Sequence, residues 1–157
     1  MHLKVISVGQ RMPEWVNAGF ETYSKRFPRE MRLELVEIPL GQRGRKSDPA
    51  KAMEKEGEQM RAALKPSDHA VALELDGRSW STEQLAGQLE NWQMQGQNIA
   101  FLIGGPDGLA PACRERAAQR WSVSPLTLPH PMVRVLIAEQ LYRAWTINQN
   151  HPYHRAG

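Results

Sequence analysis

Residues 99–108 read IAFLIGGPDG. The first five carry no polar side chain, as expected of a strand covered on both faces in a parallel sheet. Gly104-Gly105-Pro106-Asp107-Gly108 follows at once, and a helix is expected from about Pro111 to Arg120. In open α/β sheets ligands bind beyond the carboxyl ends of the strands, and paired glycines let a ligand approach the backbone closely. The turn is not a dinucleotide fingerprint, because no G-x-G-x-x-G follows the first strand and no G-K-[ST] occurs. Taken alone, an ordinary tight turn is the simpler explanation of it.

Outward from this unit the same alternation runs in both directions. Residues 3–8 read as a buried strand closed by Gly9, and a helix follows from Pro13 to about Phe27, with proline in its tolerated first turn. LELVEI at 33–38 alternates apolar and acidic residues, a strand with one solvated face. Asp48-Pro49 opens a second helix ending near Leu64. A third strand is expected at 70–75, then a turn at Asp76-Gly77, then a helix from the Ser-x-x-Gln capping box at Ser81–Gln84 to Gly96. A short fifth strand at 121–124, a proline-punctuated loop at 124–131 and a last helix from about Met132 to Asn150 complete the pattern. Strand order cannot be read from it; an α/β domain with a mostly parallel sheet can.

The chain has 157 residues, 41% hydrophobic and 24% charged. This is an ordinary globular balance for one domain and excludes collagen-like, coiled-coil and wholly disordered readings. The single cysteine, Cys113, excludes an internal disulfide and a multi-cysteine metal site, and a lone thiol fits a reducing cytoplasm. No apolar run is long enough to span a bilayer and no signal peptide is visible, so a cytoplasmic protein is expected. The net charge of +3 makes an anionic partner plausible. After Lys65 every Lys or Arg position is arginine, which suits directed contacts to phosphate and bases.

Four places carry chemistry. The 39–47 loop, PLGQRGRKS, is densely basic, and Arg43, Arg45, Lys46 and Lys51 read as phosphate contacts. The stiff loop SPLTLPHP at 124–131 either offers backbone groups to an adenine edge or merely connects strand to helix. The last helix is apolar over much of its surface, with Val133, Ile137, Leu141 and Trp145 in one stripe and Val135, Ala138 and Tyr142 beside it. Such a helix needs two partners, and a second copy of the chain is one candidate; the other reading wedges it inside its own core. Its Glu139 and Arg143 are spaced as a stabilising i, i+4 pair. The tail HPYHR at 151–155 places a stacking ring at Tyr153, a proton acceptor at His154 and a phosphate or carbonyl donor at Arg155, where a fraying end is the bland alternative. A metal site on His151 and His154 lacks any nearby carboxylate or cysteine. No hydrolase motif is present.

Together GQRMPEWVNAGFETYSKRF (9–27), KEGEQM (55–60), LIGGPDG (102–108), TLPHPMVRV (127–135) and LYRAWTINQNHPYHR (141–155) resemble the RlmH family, ribosomal large-subunit methyltransferases of the SPOUT class. The resemblance implies one SPOUT domain over residues 1–157. It would be an α/β fold with a mostly parallel five- to six-stranded sheet, helices on both faces and a C-terminal trefoil knot at about 100–150 that binds cofactor, with a substrate-contacting tail at 151–157. It implies methylation of N3 of a pseudouridine in an intersubunit hairpin loop of 23S rRNA. S-adenosyl-L-methionine would be the donor, the assembled ribosome the partner and a homodimer the active form, with no metal, membrane or DNA. By resemblance the cofactor contacts fall on Leu73, Gly104, Val123, Ser124, Pro125, Leu126, Thr127 and Leu128, with Gly105 and His130 next in rank. The acceptor residues fall on Arg143, Tyr153, His154 and Arg155. Asp107 and Pro125 depart from the family pattern, where glutamate and a small residue are usual.

The chemistry the resemblance requires is simple. An imide nitrogen is a poor nucleophile until its proton leaves; arginines beside the flanking carbonyls favour the anion, and His154 or Glu139 takes the proton. Three rival readings use the same residues. One is a non-catalytic ribosome-binding factor on this scaffold, the second a small-molecule enzyme with a nucleotide ligand. The third is a DNA methyltransferase, for which a larger chain with a separate recognition region is usual.

Overall fold

The fully apolar IAFLI segment takes the middle of the sheet. In the computed structural model, which describes residues 1–44 and 48–156, the strands are β1 (His2–Val8), β2 (Arg32–Ile38), β3 (His69–Ser79), β4 (Ile99–Ile103) and β5 (Gln119–Ser122). Their order is β2-β1-β4-β3-β5 and every pairing is parallel. Leu3 and His69 both pair with Ile99, so the strands start level and their carboxyl ends share one edge. Each large apolar side chain of β4 that is buried contributes about 1.5–3 kcal/mol.

The helices are α1 (Glu14–Ser24), α2 (Pro49–Ala62), α3 (Thr82–Met94), α4 (Pro111–Arg116) and α5 (His130–Asn148). Phe20 of α1, Leu85 and Leu89 of α3, and Ile137 and Leu141 of α5 share one core with Val5 and Phe101. Met60 of α2 and Cys113 of α4 share the other with Ile6 and Leu102. The sheet is thus covered on both faces, as its two-sided apolar strands demand. Among the described residues no helix is long and apolar enough to cross a membrane.

Several boundaries differ from the pattern reading. Strand β3 does not turn at Asp76-Gly77. It continues to Ser79 with a register jump between Leu73 and Arg78, and a Cβ on Gly77 would lie 2.7 Å from the Trp121 backbone. Helix α4 stops at Arg116, because Gln119 and Arg120 pair with Val71 and Ala72 instead. Helix α1 ends at Ser24 and α5 begins at His130, after Pro129.

Helix α5 lies between α1 and α3 against the sheet. A Cβ on Gly19 of α1 would be 3.1 Å from Val135, so the missing side chain lets these two helices close up. Helices α1 and α3 thus cover part of the apolar surface of α5, while Val133, Val135 and Trp145 stay half-buried. The helix ends where Asn150 adopts φ +57°, and the His151 amide donates to the Thr146 carbonyl at 2.9 Å. This left-handed cap is one that asparagine tolerates. In the tail, Pro152–Ala156 forms a 3-10 turn packed on α5.

Candidate active site

A cleft of about 620 Å³ opens beyond the carboxyl ends of β3, β4 and β5. Leu73, Gly104, Gly105, Val123, Ser124, Leu126, Thr127 and Leu128 line it, and so do His130 and Val133 at the start of α5. Pro125 does not. The Ser124 hydroxyl accepts from the Leu126 amide at 2.9 Å, a local turn that places Pro125 between its two ends. That position spends no backbone donor, so proline is accommodated there.

The glycine turn is fixed by close packing on itself. A Cβ on Gly104 would collide with the Gly108 carbonyl carbon and stand 2.6 Å from the Leu109 nitrogen. Gly108 has φ +86° and donates its amide to the Gly105 carbonyl at 3.0 Å. Only glycine serves at both ends of this turn.

Charged residues that the pattern reading did not single out frame the cleft. Glu74 and Asp76 line it from β3. Glu74 accepts from Arg114 at 2.6 Å and from Arg120 at 2.5 Å, and Asp76 accepts from Arg120 at 2.7 Å. The Arg120 hydrogen bond holds the Asp76 carboxyl below the usual carboxylate range. These pairs join strands β3 and β5 to α4, and the sequence shows only scattered charges there.

Arg43 corrects an expectation. It is not an open phosphate contact: its guanidinium donates to Glu56 at 2.5 and 3.1 Å and to Asp107 of the glycine turn at 2.8 Å. Glu56 is buried and also accepts from the Gly41 amide at 2.8 Å. The Glu56 and then the Asp107 hydrogen bonds raise the Arg43 pKa further above its ordinary value. Arg45 and Lys46 lie outside the described residues, and Lys51 is exposed on α2.

Arg134 is the largest fully buried side chain. It donates to Glu37 at 2.9 Å, to the Ser7 hydroxyl at 3.1 Å and to the Gly9 carbonyl at 3.3 Å. It thereby ties the start of α5 to the carboxyl ends of β1 and β2. His130, one turn earlier, has its pKa lowered by burial and by the neighbouring Arg134 charge.

The candidate acceptor residues stand at the other end of α5. Glu139 accepts from Arg143 at 3.0 Å, from Gln140 at 2.8 Å and from the Tyr153 hydroxyl at 3.1 Å. The Arg143 guanidinium lies 5.0 Å from the centre of the Tyr153 ring. Burial, then the Glu139 charge, pushes the Tyr153 hydroxyl up to about 12, so it stays a donor. His154 is half-buried with Nδ1 unpartnered, and Arg155 is exposed. Arg143, Tyr153, His154 and Arg155 form no part of the cleft lining. Val133 and Arg143 are ten residues apart on one helix, about 15 Å along its axis. One chain therefore does not bring the two sets together.

Residues 1–154 match the model of a family described as predicted SPOUT methyltransferase.

Proposed function

The chain belongs to the SPOUT methyltransferase family, S-adenosylmethionine-dependent methyltransferases, and from that premise we propose that it methylates N3 of a pseudouridine in an intersubunit hairpin loop of 23S rRNA on the assembled ribosome. In this reading the enzyme is a cytoplasmic homodimer of the RlmH type, with the family's trefoil knot at its cofactor site. The observation that carries the donor half is the cleft: about 620 Å³, within the range of about 300–1,000 Å³ usual for small-molecule sites.

The residues present fit the donor. Leu73, Ile103, Leu128 and Val133 give the cleft apolar walls, while the 104–108 and 123–128 loops bring backbone close to it. When bound, S-adenosylmethionine supplies a methyl group on an electrophilic sulfonium. The chain must then bind the base, orient it and remove one proton. The separation of cleft and tail along α5 supports a site completed by a second copy, whose tail would meet the first copy's cleft. Arg143 and Arg155 would donate to the carbonyl oxygens flanking N3 and favour its anion. Glu139 already accepts from three donors, Gln140, Arg143 and Tyr153, and serves as their anchor. His154 keeps one ring nitrogen, the buried Nδ1, without a partner, and in this reading the imidazole takes the proton. Tyr153, held by Glu139 and Arg143, positions the tail.

Single-turnover transfer of labelled methyl to ribosomes, free large subunits and naked 23S rRNA tests this. Transfer to one pseudouridine on ribosomes alone, lost with Arg155→Ala, is the expected result. Cofactor binding without transfer to any of the three would overturn it and leave a non-catalytic ribosome-binding factor.

A further inference from the structure

The segment KRFPREMR, residues 25–32, holds four cations and one carboxylate. It joins α1 to β2 at the end of the sheet away from the cleft. Lys25, Arg26, Arg29 and Arg32 are all exposed. Among the described residues none of the four makes an ion pair, whereas Arg43, Arg114, Arg120, Arg134 and Arg143 all do. The bland account is that cations settle at a helix C-terminus, which favours positive charge. It covers Lys25 and Arg26, which follow Ser24, but not Arg29 in the Pro28–Met31 turn or Arg32 on β2.

The placement of this cluster is specific. The Arg26 guanidinium stands 5.3, 5.6 and 5.9 Å from the ring centres of Tyr23, Tyr142 and Tyr153. Phe27 meets Tyr142 edge-on at 5.8 Å. Aromatic faces hold a guanidinium without neutralising it, so the charge stays available to an anion. Through Tyr153 the cluster is continuous with Arg143. Four like charges gathered with one carboxylate repel one another, and among the described residues no carboxylate pairs with any of them. A row of phosphates would.

We infer that Lys25, Arg26, Arg29 and Arg32 form a phosphate-binding surface that holds the RNA strand flanking the target nucleotide against the tail. This rests on the RNA-acceptor reading above. It places a backbone contact at the α1–β2 connection, where the cations are unpaired among the described residues, in contrast to Arg43, which is consumed internally.

The test is the salt dependence of binding to ribosomes and to naked 23S rRNA. Wild type is compared with Lys25→Gln/Arg29→Gln, which leaves the Arg26 stack intact, and with the variant that adds Arg26→Gln. Arg61→Gln, exposed on α2 in the opposite layer, is the control. Each lost phosphate contact lowers the slope of log affinity against log salt by about 0.7–0.9. The double variant should therefore lose about 1.5 from the slope and the triple more than 2, with S-adenosylmethionine affinity and thermal stability of the double variant unchanged. Wild-type methyl transfer with slopes unmoved by either variant would overturn the surface and leave the function standing. Altered slopes without methyl transfer by wild type would do the reverse. No RNA binding by wild type would sink both.

Discussion

The two ends of α5 are built from different materials. At its N-terminal end the cleft is shaped by backbone: a glycine turn closed on itself, a serine turn around Pro125 and strand ends. At its C-terminal end the structure is all side chains, with Glu139, Arg143 and Tyr153 interlocked and Arg26 laid over the rings. A backbone cavity is suited to holding one ligand in one pose. A charged and aromatic surface is suited to gripping a base and its phosphates. The rigid helix between them keeps the two apart within a chain, so the proposed reaction needs the N-terminal end of one copy and the C-terminal end of another.

The largest expected effect breaks each end separately. Gly104→Ala forces a Cβ into the Gly108 backbone, an overpacking of about 3 kcal/mol or more, and should abolish cofactor binding and methyl transfer. Arg143→Ala should bind cofactor normally and lose transfer by about 100-fold or more, as removal of a donor aimed at developing charge does. Mixed and re-equilibrated, the two inactive chains should regain about a quarter of wild-type activity. About half the dimers are then mixed, with one of two sites intact. No recovery, with mixed dimers demonstrated, would place both ends of a site in one chain.

Arg43→Ala asks whether the cleft end depends on its buttress. Glu56 would be left buried without its charge partner, and breaking a buried pair costs about 3–5 kcal/mol. Arg43 is partly exposed, so a loss near 3 kcal/mol is expected from the urea midpoint. Cofactor affinity should weaken because Asp107 loses its hold on the turn, and Arg43→Lys should recover only part of it, lacking the planar fork. An unchanged urea midpoint would return Arg43 to the status of surface charge.

The comparison also explains what could be read in advance. IAFLI and the capping box at Ser81 were legible because local sequence decides them: apolar runs and caps act within a few residues. The loops around Gly104 and Thr127 were placed as loops in the same way, but their reading as cofactor contacts came from the family resemblance, since taken alone they fit an ordinary turn and a connector. The continuation of β3 past Gly77 was not legible, since it depends on Trp121, 44 positions away. Arg43 reads as a solvated charge until the fold delivers Glu56 and Asp107. That α1 and α3 are the elements flanking α5 is likewise set by the fold and not by the local pattern. Arg134 gives no local sign of its partners, which come from the ends of β1 and β2. Long-range pairing of charges is the level at which a single sequence is silent.

The smallest expected effect separates the ends by pH. Burial and then Arg134 depress the His130 pKa below 6.5 in the folded chain. As pH falls below 6.5 the unfolded chain takes up this proton before the folded one, so stability declines from there until the lowered folded value is passed. His130→Gln should remove that part of the acid sensitivity in chemical denaturation between pH 7 and pH 5. Tyr153 titrates at the other extreme. Its folded value of about 12 lies above the unfolded one of about 10, so its contribution is intact below 10 and is lost as pH rises through 12. Tyr153→Phe should therefore leave the acid limb untouched and flatten only the alkaline one. If instead His130→Gln alters the alkaline limb, or Tyr153→Phe the acid limb, the two ends of α5 are electrostatically coupled through the helix and their independence fails.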